Sequence, residues 1–389
     1  MYFQLVNFKK YLINISLALL LCVGVANTAY AQPSAIETFL SLKESQKTAL
    51  KKEKTKFGVT LEHVLKSGME NPDSKIGCYA GDAESYATYS PIFSDVIKKY
   101  HDYSPNAQNT AGQEKKDFHF TKEDQDTISG HVVSTRIRVA RNLSSFPFPS
   151  SMTKDQRQKV ESVVLEAIKN LPQEYQGKYY SISSLSNEEY EKLVEDHLLF
   201  KGNDKYLKSS GIFDDWPEGR GAHISNDKKF MIWINEEDQL RIVYLENSAN
   251  FEKIYNAFTD ALNRLEENLT FAHDDKLGYL NSCPTNIGTA MRASVHLKLN
   301  AIDPKKVESI AKKHQLSVRG THGEHSNVLQ GVYDVSNSRR LGSNIETLLS
   351  NLVKGIVALV NEDQKLSSQN ITTSSSESAA PSLASRASR

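Results

Sequence analysis

Residues 280–299 read Leu280-Asn281-Ser282-Cys283-Pro284-Thr285-Asn286-Ile287-Gly288-Thr289-Ala290-Met291-Arg292-Ala293-Ser294-Val295-His296-Leu297-Lys298-Leu299. Small and turn-forming residues follow Cys283, and backbone built from them can approach a ligand closely. Arg292 comes next, and Val295 to Leu299 alternates as a strand does. Residue types alone leave two readings. Cys283 is a buried structural thiol ahead of a strand, or a thiol, polar backbone and an arginine are brought to one edge of a sheet as a site.

Outward from this stretch, strands come in pairs. Phe230–Ile234 and Leu240–Leu245 flank Asn235-Glu236-Glu237-Asp238, a hairpin with three acids at its tip; charge there reads first as a solvated turn. His131–Arg141 is strand-like and projects Arg136 and Arg138 to one face, as a solvated basic edge or as a paired fork for an anion. Leu316–Arg319 is a strand running into Gly320–Ser326. Helical spacing predicts helices over 152–171, 188–200, 251–269, 304–314 and 345–360. Short links between neighbouring strands predict an α+β fold, an antiparallel sheet flanked by helices, rather than a doubly wound parallel sheet. No Gly-x-x-x-x-Gly-Lys-Ser/Thr string occurs, and no Cys or His pair has zinc-ligand spacing.

Lys9 and Lys10, an apolar run over Ile13–Ala26 and Ala29-Tyr30-Ala31 read as a secretory signal over residues 1–31. Export after cleavage, with no stable membrane association, is the expectation; an uncleaved segment on a cytoplasmic protein is the alternative. Residues 32–115 read as a small helical N-terminal domain with its linker, the polar stretch 104–127 falling between domains. Leu40, Leu42, Leu50, Leu61, Val64 and Leu65 are its candidate core. Residues 116–362 form the larger domain, and 363–389, rich in Ser, Thr and Ala, reads as a disordered tail. Lys+Arg and Asp+Glu are both 47, so net charge gives no reason to expect a nucleic-acid binder, and anion recognition must come from local arginines.

The string Cys283-Pro284-Thr285-Asn286-x-Gly288-Thr289, followed by Met291-Arg292-Ala293-Ser294-Val295-His296, resembles the signature of the phosphagen (guanidino) kinases. Further segments of that family recur in order: Asp82–Tyr86, Ser134-Thr135-Arg136-x-Arg138, Trp233-x-Asn235-Glu236-Glu237-Asp238-x-Leu240-Arg241 and Val332–Gly342. The resemblance covers roughly residues 35 to 362. It implies reversible phosphoryl transfer between ATP and a guanidine, with ATP/ADP and Mg²⁺ as cofactors, no metal-ligating side chains of its own, and a monomer or dimer.

It also implies roles. Arg136, Arg138, Arg241, Arg292 and Arg319 would bind nucleotide phosphates, with His296 and His223 against the adenine. The family places that second histidine just before an Asn-Asp pair; Ser225 stands there, and His223 lies two residues earlier. Glu237 and Glu324 would hold the guanidinium, Glu237 accepting its proton, with Arg292 in the reacting centre and Cys283 beside it as a thiolate. Ser74, Lys75, Ile76, Gly77 and Tyr79 would receive the far end of the acceptor; a short loop there goes with a larger acceptor such as L-arginine. In the Gly320–Ser326 lid, His322 replaces the usual arginine of arginine-directed members. The alternatives are a kinase for another guanidino compound, such as taurocyamine, and a non-catalytic nucleotide-binding relative.

Overall fold

Alternating side chains sort themselves onto two unlike faces of one large sheet. The structure is a computed structural model that describes residues 34–103, 121–320 and 331–377. Residues 1–31, read as a secretory signal, and His322 and Glu324 lie outside the described residues. The strands are β1 Val132–Arg141, β2 Gly177–Ser181, β3 Gly221–Ser225, β4 Phe230–Ile234, β5 Leu240–Glu246, β6 His273–Asp274, β7 Gly278–Tyr279, β8 Met291–Lys298, β9 Leu316–Arg319 and β10 Val332–Asn337. Eight of them form an antiparallel sheet in the order β2-β3-β4-β5-β1-β8-β10-β9, while β6 and β7 pair separately. The α+β expectation holds.

One face of the sheet is apolar and covered. Ile137, Val139, Ile232, Ile242, Ala293, Val295 and Val335 pack against Val160 and Val164 of the Lys154–Lys169 helix. Phe258 and Leu262 of the Phe251–Glu266 helix, Val307 of Pro304–Lys313, and Leu352 and Ile356 of the last helix complete that core. Local chemistry starts these helices. Thr153 accepts the Gln156 N–H in a reciprocal capping box, and Asp303 caps a helix whose first residue is Pro304.

The N-terminal domain comprises helices Ser34–Ser41, Glu44–Leu50, Leu61–Glu70, Ser85–Thr88 and Ser90–His101. Its apolar core takes in Leu280, Ile287 and Leu341 from the larger domain, so the Cys283 segment lies on the seam. Ala80 N–H donates to the Ser282 carbonyl at 2.7 Å, and His101 Nε2 lies 2.8 Å from the Pro284 carbonyl.

Several expectations need correcting. β8 begins at Met291 and lies between β1 and β10, inside the sheet and not at its edge. Residues 51–60 are not helical but turn back through a Lys54–Thr60 bridge, and Leu40 is exposed. Lys122–Ser129, read as linker, is a helix capped by Thr121 that buries Ile128. The last helix runs Ile345–Glu377, well into the stretch read as disordered. Its continuation has a physical cause: Asp363 is buried and accepts the N–H groups of Asn300, Ala301 and Ile302. Extending a fastened helix requires no new nucleus.

Candidate active site

The other face of the sheet carries the charge. Register sets Arg138 of β1 directly opposite Arg292 of β8, and Ala140 opposite Arg241 of β5, so Arg136, Arg138, Arg241 and Arg292 share one face. His296 lies opposite Ser134 and Asp334, and Arg319 opposite Asp334, which extends the same face to β9. Like charges placed directly across a ladder repel. Burial, with Arg241 and Arg292 nearby, pushes Arg136 down to about 10, and its Nε and Nη2 are buried without a hydrogen-bond partner. Arg136 and Arg241 both lie over the Trp233 ring, at 5.8 and 5.9 Å from its centroid. Orphaned donors among crowded guanidinium groups are suited to a polyanion.

The β4–β5 turn is not a solvated tip. Asn235 sits at φ 55°, and its Nδ2 donates to the carbonyls of Arg157 and Gly219, so the turn folds into the protein with Asp238 fully buried. Asp238 accepts from Asn142 Nδ2 and from the Ser282 N–H, both at 2.7 Å, and so ties the Cys283 segment to the turn. Glu236 and Glu237 both pair with Arg241 Nη2, at 3.0 and 2.9 Å. Burial pushes Glu237 up to about 7, with Arg241 opposing the shift and Asp238 and Glu236 adding to it.

Cys283 Sγ lies 3.1 Å from Thr285 Oγ1, and burial next to Glu237 pushes the thiol up to about 12. In the free protein burial, Glu237 and Asp238 favour the thiol over the contacts from Thr285, so the expected thiolate belongs to the state with a guanidinium beside it. Tyr79 is raised by burial and then by Cys283 and Glu237, so it reaches the same centre. Ser74 is buried and its Oγ accepts the Gly77 N–H, which leaves Lys75 exposed and Ile76 half-buried. The Gly77 donor is thereby occupied within the loop.

His223 is the clear misplacement. It pairs in register with Tyr179 and Ile232 on the helix-covered face, is 3% exposed, and its Nε2 lies 2.8 Å from the Tyr175 carbonyl. Ser225 shares its parity, whereas Ala222 and Ile224 share the face of Trp233. His223 cannot meet a ligand held by the arginines.

Residue types alone do not single out four participants. Asp334 pairs with Arg292 at 2.7 Å; Asn286 Nδ2 donates to Glu237 Oε2 at 3.2 Å; Arg340 lines a cleft with Arg138, Arg241 and Arg292; and Asp238 anchors Ser282. For Asp334 and Arg340 the available signal was the polar run Asp334–Arg340 after a strand.

A cationic face beside a carboxylate and a thiol suits a reaction between a polyanion and a cation. The C-terminal catalytic domain of the ATP:guanido phosphotransferases matches residues 159–366, and the N-terminal domain of the same family matches 41–98. The chain belongs to the ATP:guanido phosphotransferase family. Among similar phosphotransferases, arginine kinase Oct f 2 of Amphioctopus fangsiao is 39% identical over 319 residues, 81% of this chain and 90% of that protein. The arginine kinase of Penaeus monodon is 38% identical over 321 residues, 82% of this chain and 89% of that one. A lombricine kinase structure is 31% identical with a TM-score of 0.79, covering 89% of this chain and 96% of its own. The duplicated taurocyamine kinase of Schistosoma mansoni, solved with bound transition-state analogue components, is 34% identical with a TM-score of 0.78 over 86% of this chain; this phosphotransferase spans about half of that duplicated chain, 46%. The enzyme transfers phosphoryl groups to a guanidino acceptor.

Proposed function

We propose that the chain catalyses reversible transfer of the ATP γ-phosphoryl group to the guanidino group of L-arginine, giving ADP and phosphoarginine. The observation that carries this reading is the meeting of two opposite charge environments. Arg136, Arg138, Arg241 and Arg292 crowd one face, and Glu237 and Cys283 stand at its rim. The arginines, with Arg319 and His296, would hold the nucleotide and neutralise charge on the transferring group. Glu237, and Glu324 from the sequence, would orient the guanidinium. Alignment is the larger part of catalysis here, worth up to roughly 7–11 kcal/mol. As the guanidino nitrogen forms the P–N bond, the P–O bond to ADP breaks, its electron pair leaves with ADP, and Glu237 takes the nitrogen's proton.

Among the described residues no group of three or more His, Cys, Asp or Glu side chains could hold a metal ion. A Mg²⁺ ion bound with the nucleotide would offset the charge of its phosphates.

Arginine is favoured because the similar curated proteins cited above are arginine kinases, and the Ser74–Tyr79 loop is short. The second reading, another guanidino acceptor, is favoured by the likeness to taurocyamine and lombricine kinases. The test is kcat/KM for arginine, taurocyamine, lombricine, glycocyamine and creatine on one preparation. Arginine should lead and creatine should trail; a lead by taurocyamine or lombricine overturns the assignment. The leader at residues 1–31 supports export of the enzyme. N-terminal sequencing of the mature protein should begin at Gln32, and a chain starting at Met1 refutes export. Among the described residues no helix is long and apolar enough to cross a membrane.

A further inference from the structure

Arg340 follows β10 and is half-buried beside Arg292, Glu237 and Cys283. Its Nη1 donates to the Thr285 carbonyl at 2.7 Å and to Asn286 Oδ1 at 3.0 Å. Its own carbonyl accepts from Thr289 N–H at 2.9 Å and Thr289 Oγ1 at 3.1 Å. Both its main chain and its side chain are thus committed to the segment just after Cys283.

The donor inventory gives this contact a direction. A guanidinium can only donate, so the amide of Asn286 must turn its oxygen to Arg340. The amide NH₂ then faces the other way, where it meets Glu237 Oε2 at 3.2 Å. The same oxygen accepts from Arg241 Nη2 at 2.9 Å. Two N–H groups on one carboxylate oxygen favour the ionised acid and fix its plane. The orientation of an amide is normally ambiguous; here a donor-only neighbour on one side and a carboxylate on the other leave a single arrangement.

We propose that Arg340 is a positioning residue that acts through Asn286, holding the amide donor on Glu237 and so setting both the orientation and the proton affinity of that carboxylate. The inference rests on the reading of Glu237 as the carboxylate facing the guanidino acceptor. The other charged groups around Glu237 are Arg241 of β5, Glu236 and Asp238 of the turn, and Arg138 of β1. Cys283 and Arg340 from the loops also face it, as do the phenols Tyr79 and Tyr86 from the N-terminal domain. None of these others touches the Asn286 amide in the described hydrogen bonds, so the relay is specific to Arg340.

The test is the pH dependence of kcat and KM for both substrates in Arg340→Gln, Arg340→Lys, Asn286→Ala and the double variant Arg340→Gln with Asn286→Ala. Glutamine can present either end to Asn286 and so releases the amide, whereas lysine is again donor-only. Arg340→Gln should lower kcat by about tenfold or more. It should move the acid limb of kcat/KM for the guanidino acceptor up by about one pH unit, because the ionised acid loses a donor. KM for ATP should stay within about twofold, and Arg340→Lys should bring the limb most of the way back. The double variant should be no worse than Asn286→Ala alone.

An unmoved limb with a KM for ATP raised about tenfold makes Arg340 a phosphate ligand and overturns the proposal. Additive losses in the double variant also overturn it. If Arg340→Gln fails to fold, Asn286→Ala decides alone, since it leaves the Arg340–Thr289 contacts in place: a moved limb supports the relay and an unmoved one ends it. Glu237→Gln in the same assay separates the two levels. Wild-type turnover there would sink the reading of the site itself; lost turnover there with an unmoved limb in the Arg340 variants sinks only the relay.

Discussion

Arg138 and Arg141 stand three residues apart on β1, and the odd spacing sends them to opposite faces of the sheet. Burial lowers the pKa of both, Arg141 being fully buried and Arg138 partly so; the company each keeps separates them further. Arg141 donates to the carbonyls of Ala140 at 2.9 Å and Thr289 at 3.3 Å, and its guanidinium lies 3.4 Å from the centroid of the Tyr279 ring. Tyr279 in turn donates to Glu266. Arg138 has Arg241, Arg136, Arg292 and Arg340 for its strongest charged neighbours, with Glu237 as an acid in reach. A buried cation whose partners are built into the fold is architecture. One surrounded by other cations is held in a strained arrangement that an arriving anion relieves.

The strongest way to break this contrast is at the reacting face. Arg292→Ala should lower kcat by about 10²–10³-fold, with an unchanged far-UV circular dichroism spectrum. Arg138→Ala should lower kcat similarly while Tm holds or rises, because it removes a repelling charge. Near-normal turnover in either variant would take that arginine out of the site. Arg141→Leu should behave in the opposite way. The Thr289 carbonyl and the Tyr279 face lose their partner, so urea unfolding should show a loss of about 2–4 kcal/mol while kcat of the folded enzyme stays within about threefold. A stable but inactive Arg141→Leu protein would erase the distinction between the faces.

Glu237 sharpens the comparison through pH. Its carboxyl is raised from 4.5 to about 7 in the folded protein. Between those values the folded state holds more protons than the unfolded one, so its contribution to stability falls as pH rises through that window. Glu237→Gln removes the slope. Its Tm should match wild type near pH 4 and exceed it by roughly 2–6 °C at pH 8, while turnover is lost. Equal Tm values at both pH values would mean the carboxyl titrates normally. The smallest effect belongs to His223→Phe, on the covered face: KM for ATP should stay within about twofold by steady-state kinetics, and a tenfold rise would overturn the register argument.

Period-two spacing made part of the arginine face readable, because Arg136 and Arg138 sit two apart; Arg292 joins them because β8 starts at Met291, ahead of the alternating run Val295–Leu299. The same rule, read over β3, sets His223 on the covered face with Ser225. The Glu237 turn looked solvated because its burial depends on Asn235 reaching Arg157 across 78 residues and Gly219 across 16, contacts that no local pattern encodes. Arg340 and Asn286 lie 54 residues apart and meet only because β8 and β10 pair. The raised thiol of Cys283 in the free protein was hidden for a related reason. Its electrostatics depend on Glu237 and Asp238, which are distant in sequence and close in space. Helix 345–377 outran its composition because Asp363 fastens it to residues 300–302.

The Ala80–Ser282 hydrogen bond has a consequence for how acceptors are sorted. Ser282 is itself held by Asp238, the residue next to Glu237. The loop that would receive one end of the acceptor and the carboxylate that would receive the other are therefore joined by one backbone hydrogen bond and one fully buried carboxylate, neither free to adjust. Such a span acts as a caliper, grading guanidino compounds by length before their charge is read. One residue inserted between Lys75 and Gly77 would narrow the jaws by up to about 3.5 Å, and the enzyme would then favour a shorter molecule with every charged group still in place.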